Sequence, residues 1–123
     1  MFKNSEAYSS FSVNDIEAAK KFYGKTLGLE VKVVSEEYNL LGLKIAGSRD
    51  IFIYPSPTHR PASFTILNFP VDDIDEAVDE LVSRGVEFER YDGFDQDAKG
   101  IFRAQPIAWF TDPAGNVLSV TGR

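Results

Sequence analysis

The sequence contains no cysteine and only one histidine, one methionine and one tryptophan among 123 residues. Without cysteine there is no disulfide framework, no thiolate nucleophile and no Cys-ligated zinc or iron–sulfur site. A single histidine excludes a His-rich metal centre within one chain. Positive charge is also scarce: 13 Lys and Arg stand against 19 Asp and Glu, a net charge of -6. Nucleic acid selects for basic patches, so no nucleic-acid partner is expected. No apolar run reaches the ~18–20 residues of a membrane span, and Met1-Phe2-Lys3-Asn4-Ser5-Glu6 lacks the pattern of a signal peptide. A soluble, cytoplasmic protein with no membrane partner is the expectation. No Gly-rich phosphate loop and no Ser-His-Asp order is present. What the chain does have is apolar material, 43% of its residues. At this length that supports one domain, which buries roughly two-thirds of its unfolded surface.

An internal repeat organises the chain. Val13-Asn14-Asp15-Ile16-Glu17-Ala18-Ala19 is matched, nearly half the chain later, by Val71-Asp72-Asp73-Ile74-Asp75-Glu76-Ala77. A β-type run precedes each copy: Tyr8 to Val13 in the first, Phe64 to Phe69 in the second. Asp15 and Asp73 stand where an N-cap carboxylate accepts orphan backbone N–H groups. Ile16, Ala19, Phe22 and Tyr23 then share one helical face, and so do Ile74, Ala77, Val78, Leu81 and Val82. Gly28 and Gly85 stop the helices as C′ residues. Strands are predicted directly after them, Leu29 to Val34 and Val86 to Arg90.

The rest of each half reads as β. Tyr38 to Ile45 and Asp50 to Tyr54 are strands around the turn Ala46-Gly47-Ser48-Arg49. Gln105 to Thr111 and Asn116 to Thr121 are strands around Asp112-Pro113-Ala114-Gly115. Pro55, Pro57 and Pro61 mark a linker. The sum is βαβββ twice: an α+β fold with mixed sheets and helices on one face. The two modules cover about residues 1–54 and 63–123, joined by the linker 55–62.

Asp15-Ile16-Glu17-Ala18-Ala19-Lys20-Lys21-Phe22-Tyr23 followed by Leu27-Gly28-Leu29 resembles the opening signature of the vicinal oxygen chelate superfamily. This is the glyoxalase, bleomycin-resistance and extradiol-dioxygenase group. Trp109-Phe110-Thr111-Asp112-Pro113-Ala114-Gly115-Asn116-Val117-Leu118 resembles its closing hairpin. The resemblance covers nearly the whole chain. It implies paired βαβββ modules whose sheets curl around a cavity, with the helices on the outer face. In metal-using members one ligand, often His, stands on the first strand of each module, here Tyr8 and Ile66. Another, usually Glu, stands on the last strand, here Ser119 and, in the first module, Phe52. Asp50 is the only carboxylate near Phe52. None of these is a strong ligand for a hard divalent metal, so no metal and no cofactor are expected.

Strand alternation sorts the candidate lining. Tyr8, Ser10 and Ser12 share a face opposite Phe11 and Val13. Phe52 and Tyr54 share a face with Asp50. Asn68 lies with Ile66 and Pro70, opposite the Leu67, Phe69 and Val71 that belong under the second helix. Trp109 shares a face with Gln105 and Ile107. Tyr91 to Phe102 is a long loop of the kind that forms lids, and Phe94 and Phe102 are its candidate closing residues. Its Asp92, Asp95 and Asp97 lack the spacing and terminal Glu of an EF-hand. The ligand-binding candidates are therefore Tyr8, Ser10, Ser12, Phe52, Tyr54, Asn68, Phe94, Phe102 and Trp109. His59, in the linker, is the one candidate general base. The carboxylates of the second helix read as its solvated face and suit its dipole.

Three functions fit these residues. One is a metal-independent protein, similar to the bleomycin-resistance branch, that sequesters a small organic ligand in the cavity between modules. Another is a glyoxalase-like lyase or isomerase acting on a small oxygenated substrate, with acid–base work from His59, Tyr8, Tyr54 or Asp50. The third is a structural or regulatory module whose cavity is filled by its own side chains. The resemblance also implies a homodimer.

Overall fold

Asp15 and Asp73 start the two helices, as the sequence predicts. The Asp15 carboxylate accepts the Ala18 N–H at 3.1 Å and Asp73 accepts the Glu76 N–H at 3.0 Å. Each cap residue has extended backbone, and its carboxylate satisfies one orphan donor at the positive end of the helix. The first helix, α1, spans Ile16–Lys21, and the second, α2, spans Ile74–Ser83. Gly85, at φ 92°, closes α2. Val86 N–H donates to Leu81 O and Gly85 N–H to Val82 O, both at 3.0 Å, which satisfies two terminal carbonyls. After α1 the chain widens into a π-helical turn over Phe22–Thr26, where Leu27 N–H reaches back five residues to Phe22 O at 2.9 Å. The Gly28 stop, at φ 74°, therefore closes a wider turn than the sequence periodicity shows.

The computed structural model of the protein describes residues 1–123. Its strands are β1 (Ser10–Val13), β2 (Val31–Ser35), β3 (Leu40–Leu43), β4 (Ile51–Pro55), β5 (Thr65–Val71), β6 (Ile107–Thr111) and β7 (Val117–Gly122). They form two mixed sheets in the orders β1-β4-β3-β2 and β5-β7-β6. In each sheet the strand before the helix pairs in parallel with the last strand of the module, and the remaining pairs are antiparallel. Pro70 sits within β5 at the sheet edge, where a missing N–H costs no ladder bond.

One expected strand is reduced to a single bridge. Val86 to Arg90 makes only the Phe88–Phe110 bridge, with Glu89 N–H on Trp109 O at 2.8 Å. A side chain supplies the partner a further strand would give. Gln96 Nε2 donates to Glu89 O at 2.9 Å and to Gly100 O at 2.8 Å, while its Oε1 accepts the Tyr91 N–H at 2.8 Å. The second sheet accordingly has three strands where the repeat predicts four.

The chain forms two compact units, Met1–Arg60 and Pro61–Arg123. In the first, Val13, Ile53, Leu41 and Leu43 bury one sheet face together with Ala19 and Tyr23. Phe11 and Phe22 pack on Tyr23 with ring centroids at 5.7 and 5.2 Å. In the second, Ile74 and Val78 of α2 pack with Ala108 and Ile101, flanked by Val71 and Phe88. Burying side chains of this size stabilises by roughly 1.5–3 kcal/mol each. Helix burial thus commits one face of each sheet and leaves the other for polar and aromatic groups.

Candidate functional site

The helix-free face of the first sheet is built by register. Ser10 pairs with Phe52 and Ser12 with Tyr54 across the parallel β1–β4 pair, so the four side chains emerge together. The row continues from Phe52 through Gly42 to Lys32. A Cβ at Gly42 would stand 3.1 Å from Val34 and 3.2 Å from Lys32, so glycine there leaves room for both side chains. Tyr8, just before β1, packs on Phe52 with ring centroids 4.8 Å apart. Of these residues Tyr8, Lys32, Val34 and Phe52 line a cavity of about 580 Å³ with Glu6, Ser48, Arg49 and Asp50, while Ser10, Ser12 and Tyr54 lie outside its lining. Two ion pairs stand at its wall, Lys32–Asp50 at 2.8 Å and Arg49–Glu6 at 3.2 Å. The hydrogen bond and charge of Asp50 hold the Lys32 ammonium above its ordinary pKa. On the same face the Ser12 hydroxyl lies 2.7 Å from His59 Nδ1. The linker histidine and the first strand, 47 residues apart in sequence, are thereby brought together.

The second sheet repeats the design with different chemistry. Asn68, Ser119 and Trp109 stand in one row across β5, β7 and β6. Ser119 is fully buried and donates its hydroxyl to Asn68 Oδ1. Trp109 is covered by Phe94, with ring centroids at 5.0 Å, and by Tyr91 at 5.4 Å. Phe94 also meets Phe102 edge to face at 5.2 Å. Burial, and secondarily the charge of Glu89, pushes the Tyr91 phenol above its ordinary pKa. A cleft of about 570 Å³ beside α2, floored by Val78, Val82 and Phe88, holds none of the residues singled out from the sequence.

The residues named from sequence thus fall into two sets. Tyr8, Ser10, Ser12, Phe52, Tyr54 and His59 gather on the first sheet, and Asn68, Phe94, Phe102 and Trp109 on the second. Sequence reasoning missed Lys32, Arg49 and Glu6 at the cavity and Tyr91 beside Trp109. Lys32 was within reach, since alternation along β2 against β3 fixes its face; Glu6 lies outside any strand.

The positions that hold metal ligands in metal-using relatives do not fit a metal. Tyr8 and Phe52 are packed on each other, and Ser119 is committed to Asn68. No three His, Cys, Asp or Glu side chains gather where they could hold a metal ion.

Two βα-led modules, each with its first strand parallel to its last and one sheet face free of helix, define an α+β protein of the glyoxalase type. The chain belongs to the Glyoxalase/Bleomycin resistance protein/Dioxygenase superfamily, which it matches over residues 7–120. It is similar to a glyoxalase family protein from Enterococcus faecalis, at 26% identity and a TM-score of 0.69, over 98% of this chain and 99% of that one. It is similar to TnmS3, an antibiotic-binding protein from Streptomyces sp. CB03234, at 26% identity and a TM-score of 0.68, over 97% of each chain. A glyoxalase/bleomycin resistance protein from the same Streptomyces is 26% identical with a TM-score of 0.62, over 94% of this chain and 99% of that one. No curated protein matches the sequence.

Proposed function

We propose that the protein binds and sequesters a small organic ligand without a metal, using the helix-free sheet faces. One observation carries this reading: where metal-using relatives place ligands, the first sheet has a packed Tyr8–Phe52 pair beside a cavity of about 580 Å³. Apolar walls with a few orienting polar groups suit a small molecule, and Lys32, Ser48 and Asp50 are such groups here. The likeness to an antibiotic-binding protein at 26% identity supports a binding role. The test is a ligand panel of aromatic and cationic small molecules, screened by thermal shift, with metal content measured on the same sample. A stabilising ligand whose effect is lost in Phe52→Ala, in protein free of stoichiometric metal, is the expected result. Stoichiometric metal, or no ligand anywhere in a broad panel, overturns it.

The alternative, a glyoxalase-like lyase or isomerase, draws on the Ser12–His59 contact at 2.7 Å, which presents an imidazole on the same face. It requires turnover whose pH profile carries a histidine limb that His59→Gln removes. We further propose a homodimer in the cytoplasm. The exposed apolar side chains Val33, Val34 and Tyr38 around the β2 edge supply surface for a second copy. Light scattering that returns a monomer at micromolar concentration would overturn the dimer.

A further inference from the structure

Trp109 is the only tryptophan, and it does not lie beneath α2. It emerges on the helix-free face of β6 and is nevertheless only 9% exposed. Phe94 is among the rings that cover it and is itself 45% exposed, so a ring half in water shields a large aromatic that faces away from the helix. The chain around Phe94 divides into a fixed base and a lightly held tip. The base is pinned by the three hydrogen bonds of Gln96 and by Asp97, whose Oδ1 accepts the Lys99 and Ile101 N–H groups, both at 2.9 Å. The tip, Asp92 to Asp95, is exposed; Gly93 has φ 88°, and Phe94 N–H makes a long 3.4 Å bond to Tyr91 O. Rotation at the tip moves Phe94 without disturbing the base.

Asn68 stands two strands away from Trp109 in the same row, about 10 Å along the sheet at ordinary strand spacing. The buried Ser119 hydroxyl occupies its amide oxygen and leaves the NH2 group to donate. A flat ring laid on the indole places its far end near that donor. We propose that Trp109 and Asn68 form a binding subsite for a planar two-ring aromatic with a hydrogen-bond acceptor at one end, and that Phe94 fills the stacking position until the ligand displaces it. This rests on the small-molecule-binding reading above and adds to the first-sheet cavity a separate subsite on the second sheet, with a ligand chemistry of its own.

Acetylnaphthalene and ethylnaphthalene make a matched probe pair, with and without the acceptor. Their binding is followed by the NMR shift of the Trp109 indole N–H and by titration. Wild-type protein binds acetylnaphthalene more tightly, and the indole signal moves. In Phe94→Ala the tryptophan emission shifts to the red, acrylamide quenches it more steeply, and both probes bind about tenfold more tightly, because the closed fraction no longer subtracts from affinity. In Asn68→Ala the preference for acetylnaphthalene drops about fivefold, the worth of one hydrogen bond, while ethylnaphthalene is unaffected. Phe94→Leu, which retains a plug, behaves as wild type and separates plugging from misfolding. Unchanged quenching in Phe94→Ala overturns the plug. Probe binding that moves only Tyr8 and Phe52 signals overturns the subsite while the binding reading stands. Failure of every probe and of the wider panel overturns both.

Discussion

Asp112 is a carboxylate with 3% exposure, held by hydrogen bonds within the closing hairpin. Its Oδ1 accepts the Ala114 and Asn116 N–H groups, both at 2.9 Å, and its Oδ2 accepts Asn116 Nδ2 at 3.0 Å. Gly115, at φ 83°, gives the turn its left-handed residue. That backbone favours glycine, and a Cβ there would also crowd Pro61 at 3.2 Å. Replacing Asp112 with alanine leaves buried donors without an acceptor, a cost of about 3 kcal/mol. Urea denaturation should show the midpoint falling at constant m-value, and Asp112→Asn, which keeps one acceptor oxygen, should lose less. A change within ~0.5 kcal/mol, the scale of an ordinary surface substitution, would sink this account of the turn. The turn was legible because Asp-Pro-x-Gly is local chemistry. The Ser12–His59 contact was not, because neither residue carries a signal of a partner 47 positions away.

At the scale of elements, the loop after Arg90 is tied to α2 by charge. Arg103 meets Asp75 through two nitrogens, at 2.9 and 2.7 Å, and its Nε reaches Asp97 at 2.8 Å. Lys99 adds contacts to Asp79 at 3.0 Å and Asp75 at 3.3 Å. The hydrogen bonds of Arg103 hold the Asp75 carboxyl well below the usual carboxylate range. Asp97 is also lowered: burial opposes its charge, but hydrogen bonds from the Ile101 N–H, Arg103 and the Lys99 N–H outweigh it. Both carboxylates therefore bind protons less readily in the folded state than in the unfolded one. Their contribution to stability is complete above the unfolded value of about 3.9 and is lost as pH falls toward the depressed folded values. Melting temperature followed from neutral pH down to about pH 2.5 should fall more steeply below pH ~4 in wild type than in Arg103→Gln. Parallel curves for the two proteins would show that the tether carries no such linkage. The caps of α1 and α2 were readable from Asp15 and Asp73 because capping acts within four residues. The strand expected at Val86 to Arg90 was not, although its apolar–charged alternation is that of a strand. What decides its state is the side chain of Gln96, whose type gives no sign that it will serve as a strand partner. The π-helical turn was hidden for a related reason: widening one turn leaves the apolar spacing at Phe22 and Tyr23 intact.

At the scale of the whole molecule, the repeat that made both modules readable also makes the departures from the metal-using pattern consistent with one another. Tyr8, Ile66, Ser119 and Phe52 stand at the four positions where the resemblance places metal ligands, Tyr8 just before β1 and the others on β5, β7 and β4, and none is a strong ligand for a hard divalent metal. Tyr8 and Phe52 pack on each other at a tilt, and Ser119 serves Asn68, so each of these positions except Ile66 has a structural commitment. The proposed metal independence has a thermodynamic consequence that does not depend on knowing the ligand. A site that held nickel or zinc with a dissociation constant of about 1 μM would stabilise the fold by about 2.7 kcal/mol at 100 μM metal. For a chain of this size each kcal/mol moves the melting temperature by roughly 3–5 °C, so such a site would announce itself as a rise of many degrees. The expected outcome is a melting curve that stays in place, within about a degree, on adding 100 μM nickel, zinc, manganese or iron(II), or on adding EDTA. A rise with one metal that EDTA reverses would mean that the fold recruits ligands outside the four inherited positions. Asp50 is the carboxylate to test first, because it lies at the cavity wall and its only ion-pair partner is Lys32. Asp50→Asn would then abolish the metal effect, whereas in a metal-independent protein it changes only the cavity wall and leaves the melting curve indifferent to every metal added.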